Sequence, residues 1–141
     1  MPKLLTIPDT FDGILQSAEL IALFRVYLDE RFCAENISFW VEIEQYRDES
    51  PEVRQVHSHK IWKDYFPDNS EKQININADV YQLTESQLKS DPSSPEIFTT
   101  AQKYIYFLME QESYGKFKLS KLLKDFMGMY TQNIFLAIKM D

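Results

Sequence analysis

The helical spacing of apolar residues is the feature that most constrains what this chain can fold into. In the segment 18–30 the apolar positions recur as they would on one face of a helix: Leu20, Ile21, Phe24, Tyr27 and Leu28. The 141 residues include only three Gly and six Pro, too few for a turn-rich β sandwich or a disordered linker. The sequence therefore predicts an all-α domain of about six or more helices with short connections.

Capping residues, proline and glycine predict where further helices begin and end. A helix is predicted from about Ala34 to Tyr46, and another begins at Ser50-Pro51-Glu52, with Val53, Val56, Ile61 and Tyr65 roughly on one side. A loop and cap at Asp91–Glu96 open a long helix to Met109, which is followed by a short turn capped by Ser113 and a break at Gly115. The last predicted helix carries one apolar stripe: Leu123, Phe126, Met127, Tyr130 and Ile134. We expect residues 1–10 to form an arm, 11–135 the domain, and 136–141 the end of the last helix.

The run Ile74–Asn77 alternates apolar and polar residues but is too short, and too isolated, to be a strand. Asn77 is instead a good cap for a helix that begins at Ala78. This leaves Asn75 on an exposed loop, between two isoleucines that should point inward. An amide held between two buried anchors would present a fixed polar group to a binding partner.

Composition argues against several classes of function. The net charge of −7 disfavours nucleic-acid binding and docking on an anionic membrane. No Gly-rich phosphate loop is present, and His57 and His59 would point to opposite sides of a helix, so both are interpreted as surface or half-buried residues. The lone Cys33 is expected to be a semi-buried apolar residue. We therefore expect no catalytic site, no metal and no cofactor.

The expected compartment follows from the cysteine count and the hydropathy of the chain. A single cysteine cannot form an internal disulfide, and no apolar run reaches the length of a membrane span. With no signal peptide, we expect a cytoplasmic monomer without direct membrane insertion.

Four runs, in order, carry a resemblance to a known family. They are Glu35–Trp40, Ile74–Asn77, Phe98–Gln102 and Leu108–Tyr114, and together they resemble the regulator of G-protein signalling (RGS) domain over about residues 11–134. The resemblance implies about nine helices, a four-helix bundle beside a subdomain of terminal helices. It also implies a surface that binds the α subunit (Gα) of a heterotrimeric G protein and accelerates its GTP hydrolysis. Recruitment to a membrane would then come through Gα or flanking domains.

The resemblance assigns a Gα-binding role to ten positions: Phe32, Cys33, Glu35, Asn36, Asn75, Asn77, Leu108, Glu112, Ser113 and Lys116. Asn75 matches the family's loop asparagine, which lies by the catalytic glutamine of Gα. Residues in and near the four runs also have a structural interpretation. Helix capping would explain Asn36 and Asn77, and a backbone hydrogen bond would explain Gln102. Core packing would explain six further residues: Phe39, Trp40, Ala101, Leu108, Met109 and Phe117.

The chain departs from the usual family residue at four of these positions. Asn77 and Glu112 stand where Asp is usual, Lys116 where Arg is usual, and Cys33 where Ser is common. Lysine lacks the bidentate fork of arginine, so these departures bear on partner choice and potency. The alternative interpretation is an RGS-homology docking or Gα-effector module, for example within a Rho exchange factor or receptor kinase, with little GTPase-activating activity.

Overall fold

The computed structural model describes residues 7–140, without the side chains of residues 133–135, 137, 138 and 140. The α-helices in this range are α1 (Phe11–Leu15), α2 (Ala18–Asp29), α3 (Glu35–Arg47), α4 (Pro51–Tyr65), α5 (Ala78–Ser90), α6 (Thr99–Met109), α7 (Gly115–Lys118) and α8 (Lys121–Met140). A π-helical segment, Glu110–Tyr114, lies between α6 and α7. The predicted all-α class is confirmed. The expectations for residues 1–6, for the Ile134 side chain and for Asp141 lie outside the described part.

The described helices divide into two compact units. The four-helix unit, Cys33–Met109, contains α3 to α6. The terminal unit combines the residues up to Phe32 with those from Glu110 onward. This division matches the expected bundle and subdomain of terminal helices. Among the described residues, no helix combines the length and the apolar character needed to cross a membrane.

An aromatic cluster forms the core of the terminal unit. The ring of Phe24 on α2 lies 5.4 Å from Phe11 on α1 and 5.0 Å from Phe117 on α7. Ser17 accepts a hydrogen bond from the Leu20 backbone N–H at 3.2 Å and so begins α2 as a capping residue. Four of the predicted apolar positions of α2 are buried: Leu20, Phe24, Tyr27 and Leu28. The helical period in this segment therefore predicted the buried face correctly.

The four-helix unit is centred on Phe39 and Phe98, which are both fully buried and lie 6.4 Å apart. Of the six positions expected in the core, four are buried, Phe39, Ala101, Met109 and Phe117, whereas Trp40 and Leu108 are half-buried. Gln102 is buried and donates to the Trp40 carbonyl at 3.0 Å. The backbone hydrogen bond predicted for Gln102 is therefore present.

The expectation that four apolar residues of α4 share one side is wrong. Ile61 and Tyr65 are buried, but Val53 is 50% exposed and Val56 74% exposed. A helix turns about 100° per residue, so the eight residues from Val53 to Ile61 leave the two side chains roughly 80° apart. The predicted start of α4 is correct, because Ser50 caps the Val53 N–H at 3.3 Å.

Three other predictions of helix boundaries and caps are also wrong. The Asp91–Glu96 segment and the residues after it form turns, so α6 begins only at Thr99. Ser113 caps no turn, because it lies inside the π-helical segment. Gly115 is the first residue of α7, and the helical path ends instead at Leu119. Glycine costs only about 1 kcal/mol inside a helix, and the burial of Phe117 outweighs that penalty.

Candidate functional site

Helices α3 and α4 of the four-helix unit run antiparallel. The Tyr65 ring, at the end of α4, lies 5.2 Å from Phe39 in the first half of α3. The His57 ring, nearer the start of α4, lies 5.7 Å from Tyr46 in the last turn of α3. The end of α4 therefore lies beside the beginning of α3.

The beginning of α5 and the end of α6 lie at the same end of this unit. Tyr81, in the first turn of α5, lies 5.0 Å from Trp62 in the last turn of α4. Ser94, before α6, accepts a hydrogen bond from Tyr46 late in α3, whereas Gln102 reaches back to the Trp40 carbonyl. Helix α6 therefore runs antiparallel to α3, and its last turn approaches the start of α3.

This end of the four-helix unit, called here the loop end, brings six of the ten predicted positions together. Cys33 precedes α3, Glu35 and Asn36 lie in its first turn, Asn75 and Asn77 lie in the α4–α5 loop, and Leu108 lies in the last turn of α6. The remaining four, Phe32, Glu112, Ser113 and Lys116, belong to the terminal unit. Residues distant in sequence thus share one surface region within the four-helix unit.

The loop that carries Asn75 is attached to the helices on both sides of that residue. The Ile74 N–H donates to the Tyr65 carbonyl at 2.9 Å, and the Ile74 side chain is buried. Asn77 accepts a hydrogen bond from the Val80 N–H at 2.9 Å, which begins α5 as predicted. Earlier in the loop, the Gln73 side-chain amide donates to Asp68 at 3.3 Å.

Asn75 itself is exposed. Its neighbours Ile74 and Ile76 are buried and half-buried, so the inward orientation predicted for them is confirmed. Within residues 7–140, the Asn75 carboxamide forms no hydrogen bond. An amide can donate and accept at once, so this side chain is available for a partner that offers both kinds of group.

A surface depression of about 340 Å³ lies beside this loop. Its lining combines the aromatic rings of Phe66 and Tyr81 with Ile74, Ile76 and Asn77. Its walls come from the α4–α5 loop and the first turns of α5, and no local sequence pattern indicated this depression. It lies next to the position of Asn75 and so extends the surface that a partner would meet.

The first turn of α3 differs from the expectation at Asn36. The N-cap position is Ala34, which provides no side-chain hydrogen bond, so the interpretation of Asn36 as a capping residue is wrong. The Asn36 Oδ1 atom is buried and accepts no hydrogen bond from any group the structure describes. Glu35 lies one residue earlier, where the positive end of the helix dipole stabilises a carboxylate. Cys33 is half-buried, as expected.

Phe32 has an unusual backbone conformation in the middle of the α2–α3 connection. Its φ angle is 59°, in the left-handed region that side chains other than glycine seldom adopt. Its side chain is 94% exposed. Strained backbone conformations of this kind cluster at active and binding sites. Sequence reasoning placed Phe32 at the site through the resemblance but gave no indication of this strain.

The other three positions of the terminal unit lie on consecutive helical segments. Glu112 and Ser113 belong to the π-helical segment, and Lys116 belongs to α7. Glu112 and Lys116 are exposed and Ser113 is half-buried. Neither charged side chain forms an ion pair within the described range. π-Helical turns are rare and occur frequently at functional sites, and no pattern in the sequence indicated this one.

Comparison with known proteins identifies the family to which this chain belongs. Residues 10–126 match the family model described as the regulator of G protein signaling domain. The chain is 36% identical over 116 residues to Regulator of G-protein signaling loco of Drosophila melanogaster, and 31% identical over 121 residues to Regulator of G-protein signaling 8 of Danio rerio. It is 32% identical over 119 residues to Regulator of G-protein signaling 5 of Sus scrofa.

These alignments cover most of this chain but different shares of the relatives. They include 82%, 85% and 84% of the chain, against 7%, 68% and 65% of the respective relatives. The matched region contains all ten predicted site positions. The chain therefore belongs to the regulator of G protein signaling domain family.

Proposed function

We propose that this domain binds the switch regions of a heterotrimeric G-protein α subunit and accelerates GTP hydrolysis by that subunit. The domain would thereby terminate G-protein signalling without a catalytic site of its own. Gα carries its arginine in cis and orients the attacking water with its own glutamine. The domain contributes binding energy, which favours one conformation of the switch regions of Gα.

Acceleration requires tighter binding to the transition state than to the GTP-bound ground state. Each ~1.4 kcal/mol of that difference increases the rate tenfold. A rigid surface that holds the switch loops in their reactive arrangement also removes reorganisation during the reaction. The domain therefore needs fixed polar groups rather than acids, bases or nucleophiles.

The observation that carries this proposal is the presentation of Asn75. The side chain is exposed and unpaired within the described residues, while Ile74 on one side is buried and hydrogen-bonded to Tyr65. The cap at Asn77 fixes the other side of the loop. The amide would contact the catalytic glutamine and the switch backbone of Gα.

The other positions would complete the interface. Glu35 and Asn36 would contribute polar contacts at the start of α3, and Leu108 would add apolar contact from α6. Phe32, Cys33 and Asn77 would border this region. Glu112, Ser113 and Lys116 would contribute a charged and hydrogen-bonding rim from the terminal unit. An interface of standard size would bury roughly 1,600 Å² in total.

The module would comprise residues 11–135 and act as a cytoplasmic monomer, recruited to the membrane through Gα or flanking segments. The substitution of Lys116 for arginine removes bidentate recognition of carbonyl oxygens. Glu112 reaches one methylene further than aspartate. These two departures would adjust the choice of Gα class and the potency of activation.

Single-turnover GTP hydrolysis by purified Gα, with and without the domain, tests the proposal. The wild-type domain should accelerate hydrolysis, and Asn75→Ala should lose at least tenfold of that acceleration while the free energy of unfolding changes by less than about 0.5 kcal/mol. Asn69→Ala is the matched control, since Asn69 is an exposed asparagine in the same α4–α5 connection. It should activate like the wild type.

Binding measurements separate this function from the alternative of a docking or effector module. The domain should bind Gα with GDP and a planar γ-phosphate mimic more tightly than Gα with GDP alone. Equal affinity for the two states, together with an unchanged hydrolysis rate, would reject GTPase activation and support a docking role.

A further inference from the structure

His57 lies between two carboxylates at the junction of α3 and α4. Its Nε2 atom is 2.9 Å from Glu42 Oε2 on α3, and its Nδ1 atom is 2.5 Å from Glu49 Oε1 in the α3–α4 turn. The three side chains are only 18%, 20% and 28% exposed. The two ring nitrogens therefore connect α4 to both α3 and the turn that follows it.

The geometry requires a particular protonation state. A neutral imidazole has one N–H donor and one acceptor nitrogen, whereas an ionised carboxylate only accepts hydrogen bonds. Neutral His57 would place a nitrogen lone pair against one of the carboxylate oxygens. The imidazolium form donates to both Glu42 and Glu49 and removes this repulsion.

Other groups around the imidazole support the same charge state. Tyr65 donates to Glu42 Oε1 at 3.2 Å, so that carboxylate accepts a second hydrogen bond. Arg54 donates to the backbone carbonyls of Glu49 and Ser93 and not to the Glu49 carboxylate. The titratable and charged groups around this junction are Glu42 and Tyr46 on α3, Glu49 in the turn, Glu52, Arg54, Lys60 and Tyr65 on α4, and Asp91 before α6.

The pKa of His57 agrees with this geometry. Burial on its own lowers the pKa, but the hydrogen bonds and charges of Glu49 and Glu42 outweigh burial and raise the pKa above 6.5. Lys60 lines the same surface depression as Glu49 and His57. Its ammonium group forms a 2.7 Å ion pair with Asp64 rather than with Glu42 or Glu49. The histidine is thus the cation that holds these two carboxylates.

We propose that His57 is a proton-dependent clasp, which joins α3 to α4 when the imidazole is protonated and releases one carboxylate when it is neutral. The folded state binds the proton more tightly than the unfolded state, so protonation stabilises the fold. This stabilisation is complete below the unfolded-state pKa of about 6.5. It is lost as the pH rises through the folded-state pKa of His57.

An NMR titration of the His57 ring in the wild-type domain tests the protonation state directly. Its pKa should exceed the value of about 6.5 for a free histidine. Glu49→Gln and Glu42→Gln should each lower the pKa, because each removes a negative charge that faces the ring. A pKa at or below that of free histidine would overturn the proposal, and so would a pKa that neither substitution changes.

Urea unfolding across the same pH range tests the effect on stability. The wild-type free energy of unfolding should fall as the pH rises through the pKa of His57, and His57→Gln should remove that fall. His59→Gln is the matched control, because His59 is an exposed histidine on the opposite side of the same helix, and it should keep the wild-type pH dependence. If His57→Gln retains the full pH dependence, the clasp does not exist. If that variant does not fold, the two glutamate variants provide the same comparison. Neither experiment involves Gα, so the outcome is independent of the proposed function.

Discussion

Phe32 should oppose folding while it contributes to binding. Its φ of 59° costs a residue other than glycine roughly 1–2 kcal/mol. Because the side chain is 94% exposed, its removal forfeits almost no burial in the free domain. Strain of this kind persists where the surrounding structure imposes it and where function benefits from it.

The substitution Phe32→Gly should therefore increase the free energy of unfolding. Glycine removes the strain of roughly 1–2 kcal/mol but loses about 0.5–1 kcal/mol more conformational entropy on folding. The net gain in stability is about 0.5–1 kcal/mol. The same substitution should weaken Gα binding, since truncation of an aromatic hot-spot residue typically costs about 2 kcal/mol, or roughly 30-fold in Kd.

Urea unfolding and titration calorimetry with transition-state Gα measure these two effects. Phe32→Ala is the matched control, because alanine removes the ring but keeps the left-handed strain. It should weaken binding as much as Phe32→Gly without the gain in stability. The reasoning is refuted if both variants unfold at the same urea concentration, or if Phe32→Gly binds Gα like the wild type.

Three further substitutions test how single residues stabilise the fold. Asn77→Ala should lower the free energy of unfolding in urea by about 1 kcal/mol, because it removes the cap on α5; a change no larger than that of the loop control Asn69→Ala would contradict this role. Gly13→Ala should lower the melting temperature, since its Cβ would overlap the Pro8 side chain, and such an overlap costs about 1–3 kcal/mol. Gly128→Ala should raise the melting temperature, because nothing lies within 4 Å of the new Cβ and alanine favours a helix by about 0.5–1 kcal/mol; equal shifts in both glycine variants would count against this reasoning.

Interactions between close neighbours in the chain were predictable from the sequence. The caps at Ser50 and Asn77 each involve a residue three positions later, so a short motif contains both partners. The orientation of Asn75 followed in the same way from its two isoleucine neighbours. The part of the site that depends on local geometry was therefore visible before the structure was known.

The errors arise where tertiary contacts override local preference. The sequence pattern favoured a break at Gly115, yet Phe117 packs 5.0 Å from Phe24 and 5.4 Å from Tyr27. That burial maintains the helix through the glycine. Asn36 likewise resembles a capping residue, but Ala34 occupies the cap position. At Gly115 the local preference was smaller than the competing burial of Phe117, whereas the structure shows, among the residues it describes, no interaction that displaces Asn36 from the cap.

The clasp at His57 shows why some features have no signal in a single sequence. Glu42 precedes His57 by 15 positions and Glu49 by eight, and nothing in those spacings distinguishes them from the other acidic residues of the chain. Only the antiparallel packing of α3 on α4 brings the three groups together. At the other end of α4 the same packing places Tyr65 where its carbonyl receives the Ile74 N–H. The α3–α4 pair therefore carries the proton-dependent contact at one end and the loop of Asn75 at the other, and Tyr65 connects them because its hydroxyl group donates to Glu42.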